Sequence, residues 1–290
     1  MKITFGGSAV TGGILSSMAV LFCLPSMAFA NTILGSAQSF AVLGASTVTN
    51  TGTTTISGSL GVYPGFASTG GPSVINGSIH AGDAVALQAQ NDERHAYNTL
   101  AALAFTTNES GVDLGGKTLL AGVYKFTSDA FLTGIQPLTL DFQGISNSRF
   151  VFQITSALHV GEASVVKVIN GSDTNGIFWL VGSSATLNAN ASFAGNILAL
   201  DSVALLTGAK IECGRAFAQT GGVTMQSNLI SGNCSVDNFE SGRSDFGSAG
   251  FSPTSSLQVP VPEPGTFLPF GISLSLGLVG LALKYSARKK

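Results

Sequence analysis

Charge is scarce in this chain. Asp, Glu, Lys and Arg make up 10% of its 290 residues, beside 3 histidines, 3 cysteines and 1 tryptophan. So few ionisable groups leave little material for acid–base chemistry. None of the compact catalytic or metal-holding spacings occurs, neither HExxH, GxSxG nor paired CxxC. His80, His95 and His159 lie far apart: one before the longest helical stretch, one on it, one in strand-like sequence. The expectation is no enzyme, no metal and no cofactor.

Positive charge is scarcer still in the body of the chain. From Asn31 to Pro264 there are 8 Lys/Arg against 15 Asp/Glu, a net charge near −7. A surface of that sign repels nucleic acid and anionic membrane. Gly, Ser, Thr and Ala dominate instead, with 37 glycines alone.

The two ends read as address labels. Residues 1–30 carry Lys2, an apolar stretch over 14–24 and the small-x-small end Ala28-Phe29-Ala30. This is the shape of a cleavable secretory signal, and its apolar stretch is too short to span a bilayer. A lipoprotein signal at Cys23 is the alternative, but bulky Phe22 precedes it where a small residue is needed. At the other end, residues 265–283 contain no charge and are followed by Lys284, Arg288, Lys289 and Lys290. That is one membrane span with a positive flank. Pro262, Glu263 and Pro264 stand just before it. The motif, span and basic tail over 261–290 resemble the PEP-CTERM sorting signal. The resemblance implies transient membrane insertion, cutting by an exosortase-type sorting peptidase, and delivery to the cell envelope or outside. A plain C-terminal anchor is the alternative.

Between the labels, residues 31–236 read as one folded body and 237–260 as a flexible Ser/Gly/Pro linker. One long helix is predicted over 83–105, with Asp83 as N-cap and Val85, Ala89, Ala96, Leu100 and Leu103 on its apolar face. Gln90, Asn91, Arg94 and Asn98 are placed opposite, and Asp92-Glu93-Arg94 reads as solvated. The remainder reads as short strands punctuated by Gly and Asn. Trp179 alternates within an apolar strand and is expected in the core.

A repeat emerges in the second half. Ser184-Ala185-Thr186-Leu187, Ser202-Val203-Ala204-Leu205 and Gly222-Val223-Thr224-Met225 share one pattern, offset by 18 and then 20 residues. The stretch 192–199 aligns with 210–218 if one residue is inserted. A period near 20 with several short strands is the signature of a β-solenoid. Alternate residues point inward, so Val203 and Leu205 should stack on Ala185 and Leu187, with Val223 and Met225 beyond. Thr186, Ala204 and Thr224 should then form one outward column at the strand spacing of about 4.8 Å. Cys213 and Cys234 are 21 positions apart, about one coil. In an exported chain they are expected to form a disulfide, two free thiols being the alternative.

The stretches Leu34-Gly35-Ser36-Ala37-Gln38-Ser39-Phe40, Ile56-Ser57-Gly58-Ser59-Leu60-Gly61-Val62, Asp113-Leu114-Gly115-Gly116, Phe178-Trp179-Leu180-Val181-Gly182 and Gly214-Arg215-Ala216-Phe217-Ala218 occur in that order. Together they resemble the microbial ice-binding-protein-like family. The resemblance implies an all-β fold with one long α-helix. More fully, it implies a discontinuous right-handed β-helix of triangular section with the helix alongside, in which N-terminal strands insert beside C-terminal coils. It also implies adsorption to ice through a flat Thr/Ser/Ala/Asn face, without cofactor or metal. Candidate face residues are Thr47, Thr49, Thr54, Thr186, Ala204 and Thr224. The family's Thr-Ala/Gly-x-Thr/Asn pattern occurs once, as Thr51-Gly52-Thr53-Thr54, and Leu206 and Gln226 interrupt the outward positions.

Two other readings stand beside ice. Solenoid polysaccharide lyases need clustered carboxylates near Arg or Lys, whereas Asp173, Asp201 and Glu212 occur singly. An envelope-associated structural or adhesive protein, binding exopolysaccharide or a partner surface, fits the same sequence features. Export itself is directly testable: the mature chain should begin at Asn31, and intact-mass measurement on exported protein should give that terminus within a few residues.

Overall fold

The computed structural model describes residues 33–172 and 174–232. The expected signal peptide, linker, Pro262-Glu263-Pro264 motif and span 265–283 lie outside these residues, as does Cys234. Among the described residues no helix is long and apolar enough to cross a membrane.

The described residues are mostly β, with one α-helix at Ala84–Ala101 and a 3-10 turn at Gly35–Ser39. Every pairing between named strands is parallel. The strands form sheets of 12, 7 and 3 members. In the seven-stranded sheet the spatial order is Ala130–Leu132, Leu158–Val160, Ala185–Leu187, Val203–Leu205, Val223–Gln226, Thr47–Thr51, Ala67–Thr69. Spatial order thus departs from chain order, because N-terminal strands follow the C-terminal ones. The same insertion recurs in the twelve-stranded sheet, where Phe40–Gly44 lies between Lys210–Ala218 and Ser59–Val62.

The predicted inward stack is present. Ala185, Val203 and Val223 are register partners, as are Leu187, Leu205 and Met225, and all are buried. The one-residue insertion also appears as a register shift. Phe193 pairs with Ile211 but Gly195 with Gly214, which leaves Glu212 and Cys213 opposite Ala194. Cys213 takes the left-handed φ of 61° at this bulge. It is disulfide-bonded.

Aromatic residues fill the interior as a ladder. Tyr124, Phe152 and Trp179 are successive register partners. Trp179 stacks on Phe152 with ring centroids 3.8 Å apart and an interplanar angle of 8°, and Phe193 closes on it at 4.9 Å. The indole N–H donates to the Ala194 carbonyl at 3.1 Å, so this fully buried ring leaves no unmet donor.

The helix explains why several strands are buried on both faces. Ala89, Ala96 and Leu100 pack with Leu34, Phe40, Val151, Phe178, Leu180, Leu198 and Phe217 in a second apolar layer. Residues 177, 179 and 181 face the interior while 178 and 180 meet this layer. Eighteen helical residues cover about 27 Å, or between five and six strand spacings. The helix returns the chain from the strand Ile79–Ala81, at one end of the twelve-stranded sheet, to Thr107–Asn108 at the other.

Three expectations for this helix need correction. It ends at Ala101 rather than 105, because the Gln153 side-chain amide donates to the carbonyls of Leu100, Ala101 and Leu103 and satisfies the terminal turn. Asp83 is the N-cap as expected, accepting from the Ala86 amide at 2.8 Å. Ala89, Ala96 and Leu100 of the expected apolar face are buried and Leu103 packs against the same layer, but Val85 is 48% exposed, and Ala86, Gln90 and Glu93 are buried beside them. Gln90 and Glu93 therefore point inward. Small alanines bring the helix so close to the sheet that these side chains reach Ala218 and Gln219.

Glu93 is fully buried. Its Oε1 accepts from Gln219 at 3.1 Å, while Oε2 has no hydrogen-bond partner among the described residues. Burial pushes its carboxyl up to about 8, against weaker opposing effects of Gln219 and Arg94. The unfolded carboxyl releases its proton near the ordinary 4.5. The folded state therefore holds an extra proton between those values, and stability falls as pH rises through that window, by up to about 1.4 kcal/mol per pH unit for one proton. The melting temperature of the folded body should decline from pH 5 to pH 9, and Glu93→Gln should flatten that decline. Thermal unfolding across the pH series checks both.

Candidate functional site

The seven-stranded sheet presents an open outer face. Its strands are three to five residues long, and all but Ala67–Thr69 alternate buried and more exposed side chains. Outward residues in register are Phe131, His159, Thr186, Ala204, Thr224, Thr49 and Thr69, one per strand. Five consecutive positions in this column, Thr186 to Thr69, carry Thr or Ala. Thr49 and Thr224 are 175 residues apart in the chain, yet their hydroxyls lie 3.4 Å apart.

The flanks of the column are small too. Ser184 and Ser202 precede it on two strands, and Gly222 sits beside Thr47. A Cβ on Gly222 would lie 2.8 Å from the Thr47 hydroxyl. A larger residue there would lift the surface, so glycine keeps it level. Gln226, expected to interrupt the face, accepts from the Thr207 hydroxyl through Oε1 at 3.1 Å. Its long side chain is thereby tied to a neighbour in the adjacent turn.

Thr54 does not belong to this face. It is 1% exposed, and its hydroxyl accepts from the Asn228 amide at 3.0 Å. That hydroxyl serves a buried turn and has no access to a surface. The motif Thr51-Gly52-Thr53-Thr54 thus spans a corner, with only Thr51 on the seven-stranded sheet as the partner of Gln226. Conversely, Thr47, Thr49, Thr186, Ala204 and Thr224 all lie on one sheet, although they come from both halves of the chain. Thr69 is exposed, shares the column and was missed; its strand is only three residues long and carries no apolar alternation to mark it.

The other outer surfaces are built differently. The helix layer covers much of the twelve-stranded sheet. Where that sheet is open, its outward residues include Lys210 beside Leu229, and the three-stranded sheet carries exposed Lys167 beside Thr139. Charged or bulky side chains therefore break up these surfaces.

No group of three or more His, Cys, Asp or Glu placed to hold a metal occurs among the described residues. Asp129 lies 3.3 Å from His159 Nε2, and Asp83 lies 2.8 Å from His80 Nδ1. Hydrogen bonds from Ser156 and the Ala157 amide hold the Asp129 carboxyl below its usual range, and the Ala86 amide does the same first of all for Asp83. Both carboxylates thus hold local structure, Asp83 as the helix cap and Asp129 beside His159.

Comparison with known proteins agrees with this architecture. The profile of the family described as Ice-binding-like matches residues 42–231. An ice-binding protein of Nostoc sp. (strain HG1) is 52% identical over 204 residues, covering 70% of this chain and 75% of that protein. Ice-binding protein 1 of Shewanella frigidimarina is 32% identical over 68% of this chain, which spans only 25% of that longer protein. Among solved structures, an ice-binding protein from an Antarctic biological consortium superposes with a TM-score of 0.65 at 40% identity, covering 69% of this chain and 90% of that one. The ice-binding protein of the Antarctic ascomycete Antarctomyces psychrotrophicus does so with a TM-score of 0.65 at 37% identity, covering 71% and 100%. With its family profile spanning most of the folded body, and relatives this similar over two thirds of its length, the chain belongs to the ice-binding-like family.

Proposed function

We propose that the folded body is an exported ice-binding protein that adsorbs to ice, as its relatives are named for doing, through the outer face of the seven-stranded sheet. The observation that carries this reading is the column Thr186, Ala204, Thr224, Thr49 and Thr69, level with Ser184, Ser202 and Gly222 beside it and uncovered by the helix. Thr is β-branched and holds its rotamer stiffly. Its methyl and hydroxyl both meet water at fixed positions, repeated along the sheet at about 4.8 Å. Water held in such an array can join a growing crystal without the entropic cost of ordering the surface first. Of the residues put forward, Thr47, Thr49, Thr186, Ala204 and Thr224 carry the proposal and Thr54 is withdrawn.

Further parts of this proposal rest on the sequence: the family resemblance for the shape of the coil, a spacing of about one coil for the disulfide, and the motifs at the two ends for export. The sheets close into a right-handed coil of triangular section. Cys213 pairs with Cys234 across one coil, which a non-reducing peptide map should show. A signal peptide ending at Ala30 and a PEP-CTERM tail at 261–290 direct the body to the envelope or outside, with the sorting peptidase as a transient partner.

Thr224→Tyr is the discriminating variant. Thr224 is exposed, so the substitution should leave stability within about 0.5 kcal/mol. Its ring would stand above the face and part it from the crystal, so recrystallisation inhibition should fall several-fold while the melting temperature holds. Wild-type protein that leaves ice crystal size unchanged at micromolar concentration would sink the ice reading. An active Thr224→Tyr variant would place the ice face elsewhere.

A further inference from the structure

The outward column changes character at one end. After Thr186 come His159 and then Phe131, whose rings stack with centroids 5.1 Å apart and an interplanar angle of 17°. Phe131 remains 42% exposed, and His159 is its sole ring neighbour among the described residues. Two carboxylates flank the pair. Asp129 lies beside His159, with side chains 38% and 42% exposed, and Asp113 bridges to the Phe131 backbone from the next turn. Asp113 accepts from the Gly115 amide and from the amide and hydroxyl of Thr133, and Asp129 accepts from the Ala157 amide and the Ser156 side chain and lies 3.3 Å from His159 Nε2. These bonds fix the carboxylates in place and leave each with acceptor capacity toward solvent, since an ionised carboxylate has about four lone-pair sites.

A projecting aromatic pair is the wrong element for a level Thr/Ala face, and burial in the core does not account for an exposed Phe. We infer that Phe131, His159, Asp129, Asp113 and Thr133 form a second binding site, for a neutral oligosaccharide. A pyranose ring has one face of C–H groups and a rim of hydroxyls. The exposed Phe131 ring offers a flat apolar surface to the C–H face, and the carboxylates accept from the rim hydroxyls, as does Thr133 Oγ1, whose own proton goes to Asp113, charge-assisted bonds to Asp being the stronger. The two carboxylates, in a body of net charge near −7, disfavour acidic sugars, nucleic acid and anionic lipid. A handful of residues is also too small a patch for a stable protein interface, which needs about 800 Å² from each partner. This site lies at the end of the same sheet, beyond the five Thr/Ala positions that carry the ice reading, and its test is separate from theirs.

Titration calorimetry on the exported body would use cellohexaose, mannohexaose and maltohexaose, with trigalacturonate as the anionic comparison. At least one neutral hexasaccharide should bind, and trigalacturonate should bind at least tenfold more weakly. Phe131→Leu, which keeps apolar bulk but loses the flat ring, should weaken binding at least tenfold, and Phe131→Tyr should restore it. Both variants should retain the wild-type melting temperature and ice recrystallisation inhibition, while Thr224→Tyr should leave sugar binding unchanged. Absence of binding to all three neutral sugars at millimolar concentration overturns the inference. So does binding that survives Phe131→Leu undiminished, or tighter binding of trigalacturonate.

Discussion

Parallel backbone pairing between successive turns of the chain is the constraint on which this molecule rests. Each strand offers its N–H and C=O groups to the turn above and the turn below, and a buried backbone group left without a partner would be costly. Pairing at about 4.8 Å puts like positions in columns. An inward column must then be apolar throughout and an outward column uniform enough to be solvated. The ladder Tyr124, Phe152 and Trp179 and the surface series Thr186, Ala204 and Thr224 arise from this single rule on opposite sides of the backbone. A flat repeating surface is therefore a consequence of the fold before it is a functional device.

Stacking alone leaves open edges, and the chain deals with this by returning. The helix carries the backbone from one end of the twelve-stranded sheet to the other, so that the first strands and the last share an interior boundary instead of each ending in solvent. Val48 packs beside Val223, and Phe40–Gly44 is gripped between strands from opposite halves of the chain. Arg215 ties the same junction. Fully buried, it donates to the Gln38 carbonyl, the Asn196 side chain and the Gly232 carbonyl, and burial lowers its pKa to about 10. Joining distant segments this way is slow in folding terms, since loop closure precedes the contacts that reward it. The benefit is a surface whose columns continue across the junction.

The helix also divides the protein's surfaces by use. It lies close because its inner face is largely alanine, and that closeness draws Gln90 and Glu93 out of water. A buried carboxyl is a cost, as its raised pKa shows. Where the helix covers the twelve-stranded sheet, that sheet presents no face to a ligand, whereas the outer face of the seven-stranded sheet is left uncovered by this helix among the described residues. At the end of that sheet the same column turns aromatic, so one strand register carries two surfaces of different chemistry.

Much of this was legible in the sequence where the repeat is regular. The 18- and 20-residue offsets around Ala185, Val203 and Val223 determine which side chains point inward, because strand alternation has a period of two and a slip of one residue would turn the apolar set to solvent. The inserted residue near Cys213, the Asp83 cap and the buried Trp179 follow from equally local rules. Local rules do not reach the partners of residues far apart in the chain. Thr49 meets Thr224 and Thr69 only because the N-terminal strands dock beyond the C-terminal ones, and no periodicity within either segment encodes that neighbour. Thr54 looks like its neighbours in sequence but turns inward at a corner whose geometry depends on Asn228. Gln90 and Glu93 carry the polarity of a solvated helix face, yet they are buried, because which side of a helix faces inward is decided by the sheet it lands on. Side-chain alternation was set by the chain itself. The composition of each surface was decided only when segments more than a hundred residues apart were stacked together.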